Sequence, residues 1–341
     1  MKAKIKPRID LKNRTKLETV IPLSVPFIIF IDPSDVCNFR CKFCPTADRE
    51  LMKLIPGRNY GIMDFNLYTK IIDDICEFER PLKVLRLYKD GEPFVHPRFA
   101  EMVKYAKERR CAERVDTTTN ASLLSPKKNI EIIETGIDRI NISIYGVRSE
   151  QYLEFSKYRI NYPTFIEVIR HLYENRRGCE IIIKINGDSL TEEDKVKFYE
   201  IFGDMADGVY IEHTMSCWPE FDLEQKKVEV NQEFGIYGQA IKEVGVCPYI
   251  FYSFSINSNG WASACFLDWE RKLIIGDANK DSVKDIWRGI QLRAYQEMML
   301  RRERKQHPVC GDCGQMTHGH PDDIDVHAQE LRGKLNRLKN E

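Results

Sequence analysis

The sequence predicts an α/β fold: a partial (β/α)6 TIM-like barrel followed by a small C-terminal domain held together by cysteines. Two observations carry this. From residue 27 to residue 212, apolar strand-like runs alternate with amphipathic helical stretches, the pattern of a parallel sheet joined by crossover helices. After residue 212 the alternation breaks, and Cys247, Cys265, Cys310 and Cys313 follow in a segment of no regular period. Six strands are too few to close an eight-stranded barrel, so an open one is expected. A doubly wound sheet would share the alternation, but no Gly-x-Gly-x-x-Gly follows the first strand.

The elements run as follows. Residues 27–31, Phe-Ile-Ile-Phe-Ile, are apolar throughout and read as a buried first strand. Helical spacing covers 65–75. Strands at 83–88, 114–119, 138–144, 180–185 and 208–212 are separated by helices at 99–109, 126–134, 165–174 and 192–202. Ahead of them, residues 1–22 form an arm rich in lysine and arginine, expected to be solvated and partly mobile. Contact of these cations with an anionic substrate such as a nucleotide sugar is the alternative. The barrel should occupy 23–215, the cysteine domain 216–322, and a polar, basic, solvated helix 323–341.

Composition narrows the partners. The 341 residues carry 52 basic and 52 acidic side chains, so bulk electrostatics makes no case for nucleic acid. No run of 18 apolar residues exists, and the basic start of the chain has no apolar core, which argues against a membrane span and a secretory signal. Eleven cysteines then point to metal or redox use in a reducing cytoplasm, not to disulfides.

The chemistry concentrates first in Cys37-Asn-Phe-Arg-Cys41-Lys-Phe-Cys44, after strand one. Reactive groups of parallel barrels collect where strands end and βα loops begin. Three thiolates in one loop can hold three irons of a [4Fe–4S] cluster and leave the fourth open to a small molecule. The plain readings are a structural zinc, which would want a fourth Cys or His close by, or three unrelated buried thiols.

Cys-x3-Cys-x2-Cys with the aromatic Phe43 before its last cysteine resembles the cluster loop of radical S-adenosylmethionine (radical SAM) enzymes. In that family the methionine end of SAM chelates the open iron, and one electron from the cluster cleaves SAM to a 5′-deoxyadenosyl radical. The resemblance implies SAM as cofactor, oxygen sensitivity, and an electron donor such as flavodoxin or ferredoxin. After strand two, Gly91-Glu92-Pro93 resembles the end of the family's Gly-Gly-Glu-Pro motif, whose backbone and Glu receive the methionine ammonium; Asp90 stands where the first Gly is usual. By the same resemblance Ser143, Lys184 and Asn186, at the ends of strands four and five, contact the SAM carboxylate and ribose. Without the family, they read as residues that satisfy backbone at loop starts. Tyr145 stands where the family often has an acid.

The later cysteines suit zinc as a four-thiolate site. Gly260-Trp-Ala-Ser-Ala-Cys265 and Cys310-Gly-Asp-Cys313 also resemble the Gly-x4-Cys and Cys-x2-Cys elements of SPASM auxiliary domains. No cysteine follows Cys313, so the resemblance implies the shortened twitch arrangement: Cys247, Cys265, Cys310 and Cys313 around a second, fully ligated [4Fe–4S] cluster. A cluster without an open iron suits electron transfer. That implies dehydrogenation of a hydroxyl to a ketone in a small polyol, sugar or sugar nucleotide, as in radical SAM aminocyclitol dehydrogenases. Cys217, in the loop after strand six, is either inert or a hydrogen-atom donor, as an epimerase requires. Peptide modification and a zinc-stabilised binding protein are the remaining readings. Cys76, Cys111 and Cys179 read as small buried hydrophobes.

Overall fold

The computed structural model describes residues 1–58 and 60–337 of the chain. Ten strands form one sheet: β1 (Lys4–Ile5), β2 (Ile28–Ile31), β3 (Leu82–Leu87), β4 (Ala112–Thr119), β5 (Arg139–Ile144), β6 (Glu180–Asn186), β7 (Gly208–Glu212), β8 (Ser253–Ile256), β9 (Trp261–Ser263) and β10 (Ile274–Asp277). Their spatial order is β1-β7-β6-β5-β4-β3-β2-β8-β9-β10. The six strands β2 to β7 are parallel and neighbour one another in chain order. Helices α1 (Arg49–Lys53) and α2 (Phe65–Ile75), then α3 (Phe99–Arg109), α4 (Pro126–Glu134), α5 (Ser149–Ser156) with α6 (Tyr162–Glu174), and α7 (Glu192–Phe202) make the crossovers. This is the expected partial barrel.

Strand residues alternate between two faces. Ile29, Leu85, Val115, Ile142, Ile183 and Val209 go to the helix-covered face and its core, each worth roughly 1.5–3 kcal/mol when fully buried. On the intervening positions stand Arg86, Asp116, Asn141, Ser143, Lys184 and Glu212, which give the inner face a polar lining. Helix α6 begins three residues before the expected 165 because Asn161 caps it, accepting from Thr164 N at 3.2 Å, with Pro163 in its first turn. Helix α5 carries no strong period and was not anticipated.

Both ends of the chain differ from expectation. The arm is docked, not solvated. Strand β1 pairs in parallel with β7 (Lys4 opposite Gly208), and Ala3, Leu17 and Ile21 are buried. Its cations find individual partners: Lys6 on Glu180, Arg14 on Asp322. Charge density hid this, because no apolar period marks a strand of two residues. Beyond the barrel, β8 pairs in parallel with β2 (Ile28 opposite Ser253), and β9 and β10 continue antiparallel. The cysteine-bearing segment thus extends the barrel's own sheet. Helices α8 (Val283–Arg288) and α9 (Ile290–Leu300) follow, then α10 (Ala328–Arg337), which buries Ala328, Leu331 and Leu335 and is therefore not the fully solvated helix expected. Residues 338–341 of that expected helix lie outside the described residues. No helix among the described residues is long and apolar enough to cross a membrane.

Candidate functional site

The loop after β2 is fixed before any cofactor is considered. Arg40 N and Lys42 N donate to the carbonyls of Ser156 and Phe155 at 2.8 and 3.1 Å, tying the loop to α5. Phe39 inserts among Tyr145, Tyr152 and Tyr158. The three thiols share one space: burial pushes Cys41 well up, and Cys44 and Cys37 add to the effect. Gly91 is required where it stands, since a Cβ there would lie 2.1 Å from Ser34 O and 2.5 Å from Val36 O. Glu92 N donates to Val36 O at 3.0 Å, so the Gly-Glu-Pro turn braces the start of the cysteine loop. The Glu92 carboxyl accepts from Thr119 Oγ1 (2.6 Å), Asn120 N (2.8 Å) and Phe94 N (3.2 Å). Burial raises it to about 7 despite these bonds. Asn120 passes the contact on to Asn38 Oδ1 at 3.0 Å.

Phe43, Ser143, Lys184 and Asn186 line one cavity of about 230 Å³ at the C-terminal ends of β5, β6 and β7. Tyr145 lies there too, stacked on Phe43 with ring centroids 5.9 Å apart. Lys184 is paired with Glu212, and Asn186 Oδ1 accepts from Thr214 Oγ1 at 2.6 Å. Glu212 and Thr214 were missed from sequence; both end or follow β7 and carry no motif. Gly91, Glu92 and Pro93 do not line this cavity.

Cys247, Cys265, Cys310 and Cys313 line a second cavity, otherwise walled largely by apolar side chains. Gly260, at φ +91°, closes the β8–β9 hairpin that delivers Cys265. The buried Arg304 links the other two segments. Its guanidinium donates to Gly245 O (3.0 Å) and Val244 O (3.3 Å) beside Cys247, and to Cys310 O (2.8 Å) and Gly311 O (3.1 Å). Burial pushes the Cys247, Cys310 and Cys313 thiols up, and the Arg304 cation works against that. Nothing in the sequence marked Arg304.

Residues 31–199 match the family model of the Radical SAM superfamily, and residues 247–314 match SPASM, an iron–sulfur cluster-binding domain. The chain carries a radical SAM domain followed by a SPASM domain. The tungsten-containing aldehyde ferredoxin oxidoreductase cofactor-modifying protein of Pyrococcus furiosus is 31% identical over 147 residues, 38% of each chain. GTP 3′,8-cyclase of Clostridium perfringens is 26% identical over 127 residues, 37% of each chain. The matches therefore span under two-fifths of these relatives' length. Among solved structures, BtrN in complex with AdoMet and 2-DOIA superposes with TM-score 0.56 at 16% identity, covering 88% of this chain and 98% of that one. Native anSMEcpe with bound AdoMet gives 0.58 at 14%, covering 92% and 99%. Streptococcus suis SuiB bound to S-adenosylmethionine gives 0.59 at 16%, covering 93% and 76%. At these identities the likeness is one of fold.

The donor sets fit the [4Fe–4S] clusters and SAM that radical SAM and SPASM domains use. Four thiols around one cavity are a complete ligand set, while the radical SAM loop offers three.

The radical SAM motif departs from its pattern at Asp90, and the structure supplies the reason. The Asp90 carboxylate is buried beside Lys89 Nζ (2.9 Å), Arg58 (3.5 Å) and Arg271 (3.7 Å). Asp32 and Asp35 complete this interior ion cluster; burial and the charge of Asp90 raise Asp32 to about 8. Arg271 comes from the SPASM segment, so Asp90 and Asp35 together tie that segment to the loops after β2 and β3, and a glycine at position 90 would remove one of the two carboxylates.

Cys217 occupies the junction of the two domains. Burial pushes its thiol up to about 12, with Cys313 and then Cys44 among the charges that add to the shift. A Cβ at Gly314 would meet Ser216 O at 2.0 Å, so the Cys217 segment lies directly on the SPASM Cys-x2-Cys turn.

Proposed function

We propose that this radical SAM enzyme dehydrogenates a hydroxyl of a small polyol, sugar or sugar nucleotide to a ketone. The observation that carries the reading is the four-thiol cavity, a closed ligand set adjoining an inner barrel face lined with polar groups. When bound, the SAM-chelating cluster supplies a 5′-deoxyadenosyl radical for hydrogen abstraction and the SPASM cluster an acceptor for the remaining electron.

The protein's own residues then do three things. Gly91, Glu92 and Pro93 brace the cysteine loop and present a carboxyl for the SAM ammonium, while Ser143, Lys184 and Asn186, with Phe43, line the cavity for the remainder of SAM. Aromatic packing fixes the segment after Cys265 against the first barrel strand: Phe266 stacks on Phe30 at 4.9 Å and meets Tyr249 edge-on at 5.5 Å. Asp116 Oδ1 and Glu212 Oε1 are buried on the inner face without a hydrogen-bond partner, and such a carboxylate accepts the hydroxyl proton. The likeness to BtrN, a radical SAM aminocyclitol dehydrogenase, supports this reaction type through its fold.

Cys217 favours a second reading, epimerisation. A thiol that feels both Cys313 and Cys44 would serve as the donor of a hydrogen atom to a substrate carbon in such a reaction. Reconstituted enzyme, reduced through flavodoxin or ferredoxin, separates the two in deuterated water with SAM and candidate sugars. Dehydrogenation gives a product lighter by two hydrogens with one 5′-deoxyadenosine per turnover. Epimerisation gives an unchanged skeleton bearing one solvent deuteron, and Cys217→Ala abolishes it; product formation intact in that variant ends the second reading.

A further inference from the structure

The inner face is not balanced in charge. Glu212 pairs with Lys184 through one oxygen, and Glu180 with Lys6 and Arg139. Among the described residues Asp116 is the carboxylate that remains for Arg86 and Arg114; it stands 3.8 and 3.4 Å from their Nε atoms, neither of which makes a hydrogen bond, while Arg86 also donates to the Tyr88 hydroxyl at 3.2 Å. Into the same space comes Arg8, carried by the docked arm, whose carbonyl is held by Arg139 NH1 at 2.9 Å. Arg8 lies within electrostatic reach of Tyr88, Tyr237, the Glu212 carboxylate and Arg86, and its Nε has no hydrogen-bond partner among the described residues. Cations that outnumber the carboxylates facing them in a largely buried space are expensive, and a guanidinium satisfies two oxygens of a carboxylate or phosphate at once.

We propose that Arg8 and Arg86 hold an anionic group of the substrate, which makes the substrate a phosphorylated or carboxylated polyol and not a neutral sugar. This rests on the radical SAM oxidoreductase reading and narrows its substrate class. The placement suits that role. Arg86 sits over the Phe30 ring, 5.2 Å from its centroid, and Phe30 in turn stacks on Phe266 beside Cys265. The anion would be anchored on the β3 side of the inner face, while the cavity of Ser143, Lys184 and Asn186 lies across it on β5 and β6, leaving the polyol between them. A pair of arginines so placed is separate from the groups assigned to SAM.

Calorimetric titration of the reconstituted protein tests this with inorganic phosphate and acetate as probes and chloride at matched ionic strength as the control. Phosphate or acetate is expected to bind, with a Kd at least about tenfold weaker in both Arg8→Gln and Arg86→Gln. Arg86→Lys, which keeps the charge, should lose less and guards against a variant that misfolds. Tighter binding of phosphate identifies a phosphoryl group; tighter binding of acetate identifies a carboxylate. No heat beyond chloride, or binding unchanged in both glutamine variants, overturns the proposal. Iron content and SAM cleavage without substrate test the radical SAM reading separately, so a protein that cleaves SAM but ignores both anions contradicts this inference alone.

Discussion

Replacing Cys37, Cys41 and Cys44 together by alanine is expected to abolish SAM cleavage while leaving about four irons per chain, those of the SPASM domain. The two cysteine sets are held by different parts of the chain. The first is anchored through the carbonyls of Phe155 and Ser156 and through Phe39, the second through Arg304 and the β8–β9 hairpin. Loss of one should therefore spare the other. Elemental analysis and 5′-deoxyadenosine formation under reducing conditions check this. Iron falling to zero would mean that the sites are not independent.

The second large effect is expected at Arg304. Its guanidinium joins the chain before Cys247 to the Cys310 turn through four backbone carbonyls, and no other side chain does so among the described residues. Arg304→Ala leaves those carbonyls unpaired in the interior and withdraws the cation beside three thiols, at a cost of about 3–5 kcal/mol. The variant should resemble Cys310→Ala/Cys313→Ala: SAM cleavage persists, the SPASM cluster is lost, and no oxidised product forms. Arg304→Lys keeps the charge but not the forked geometry and should recover only part of the loss. Iron content, urea denaturation and product analysis together read this out; an Arg304→Ala protein with full iron and wild-type product would contradict it.

Much of this was legible in the sequence, for identifiable reasons. The barrel strands carry apolar side chains at least on the face that meets the helices, and most of the intervening helices have a clear period, signals that survive in a single chain. Seven cysteines announce their sites by spacing. What remained hidden lacks a local signature. Strand β1 is two residues inside a run of cations, and β8, Ser-Phe-Ser-Ile, is short and half polar. The Asp90 cluster draws its members from Asp32, Arg58, Lys89 and Arg271, segments far apart in the chain, so Asp90 read only as a departure from a motif. Arg304 and Arg8 act through backbone carbonyls and through an unbalanced interior, which only three-dimensional neighbours reveal. Cys217 follows β7, but its approach to the SPASM turn depends on the fold of the segment beyond it.

If the two cysteine sets hold clusters of different kinds, one is open to SAM and the other is closed. Electron paramagnetic resonance of the reduced, reconstituted protein, recorded with and without SAM, tests it most directly. Two reduced [4Fe–4S] signals are expected, of which only the one lost in the Cys37/Cys41/Cys44 variant changes when SAM is added. A single signal, or two that both respond to SAM, would contradict it.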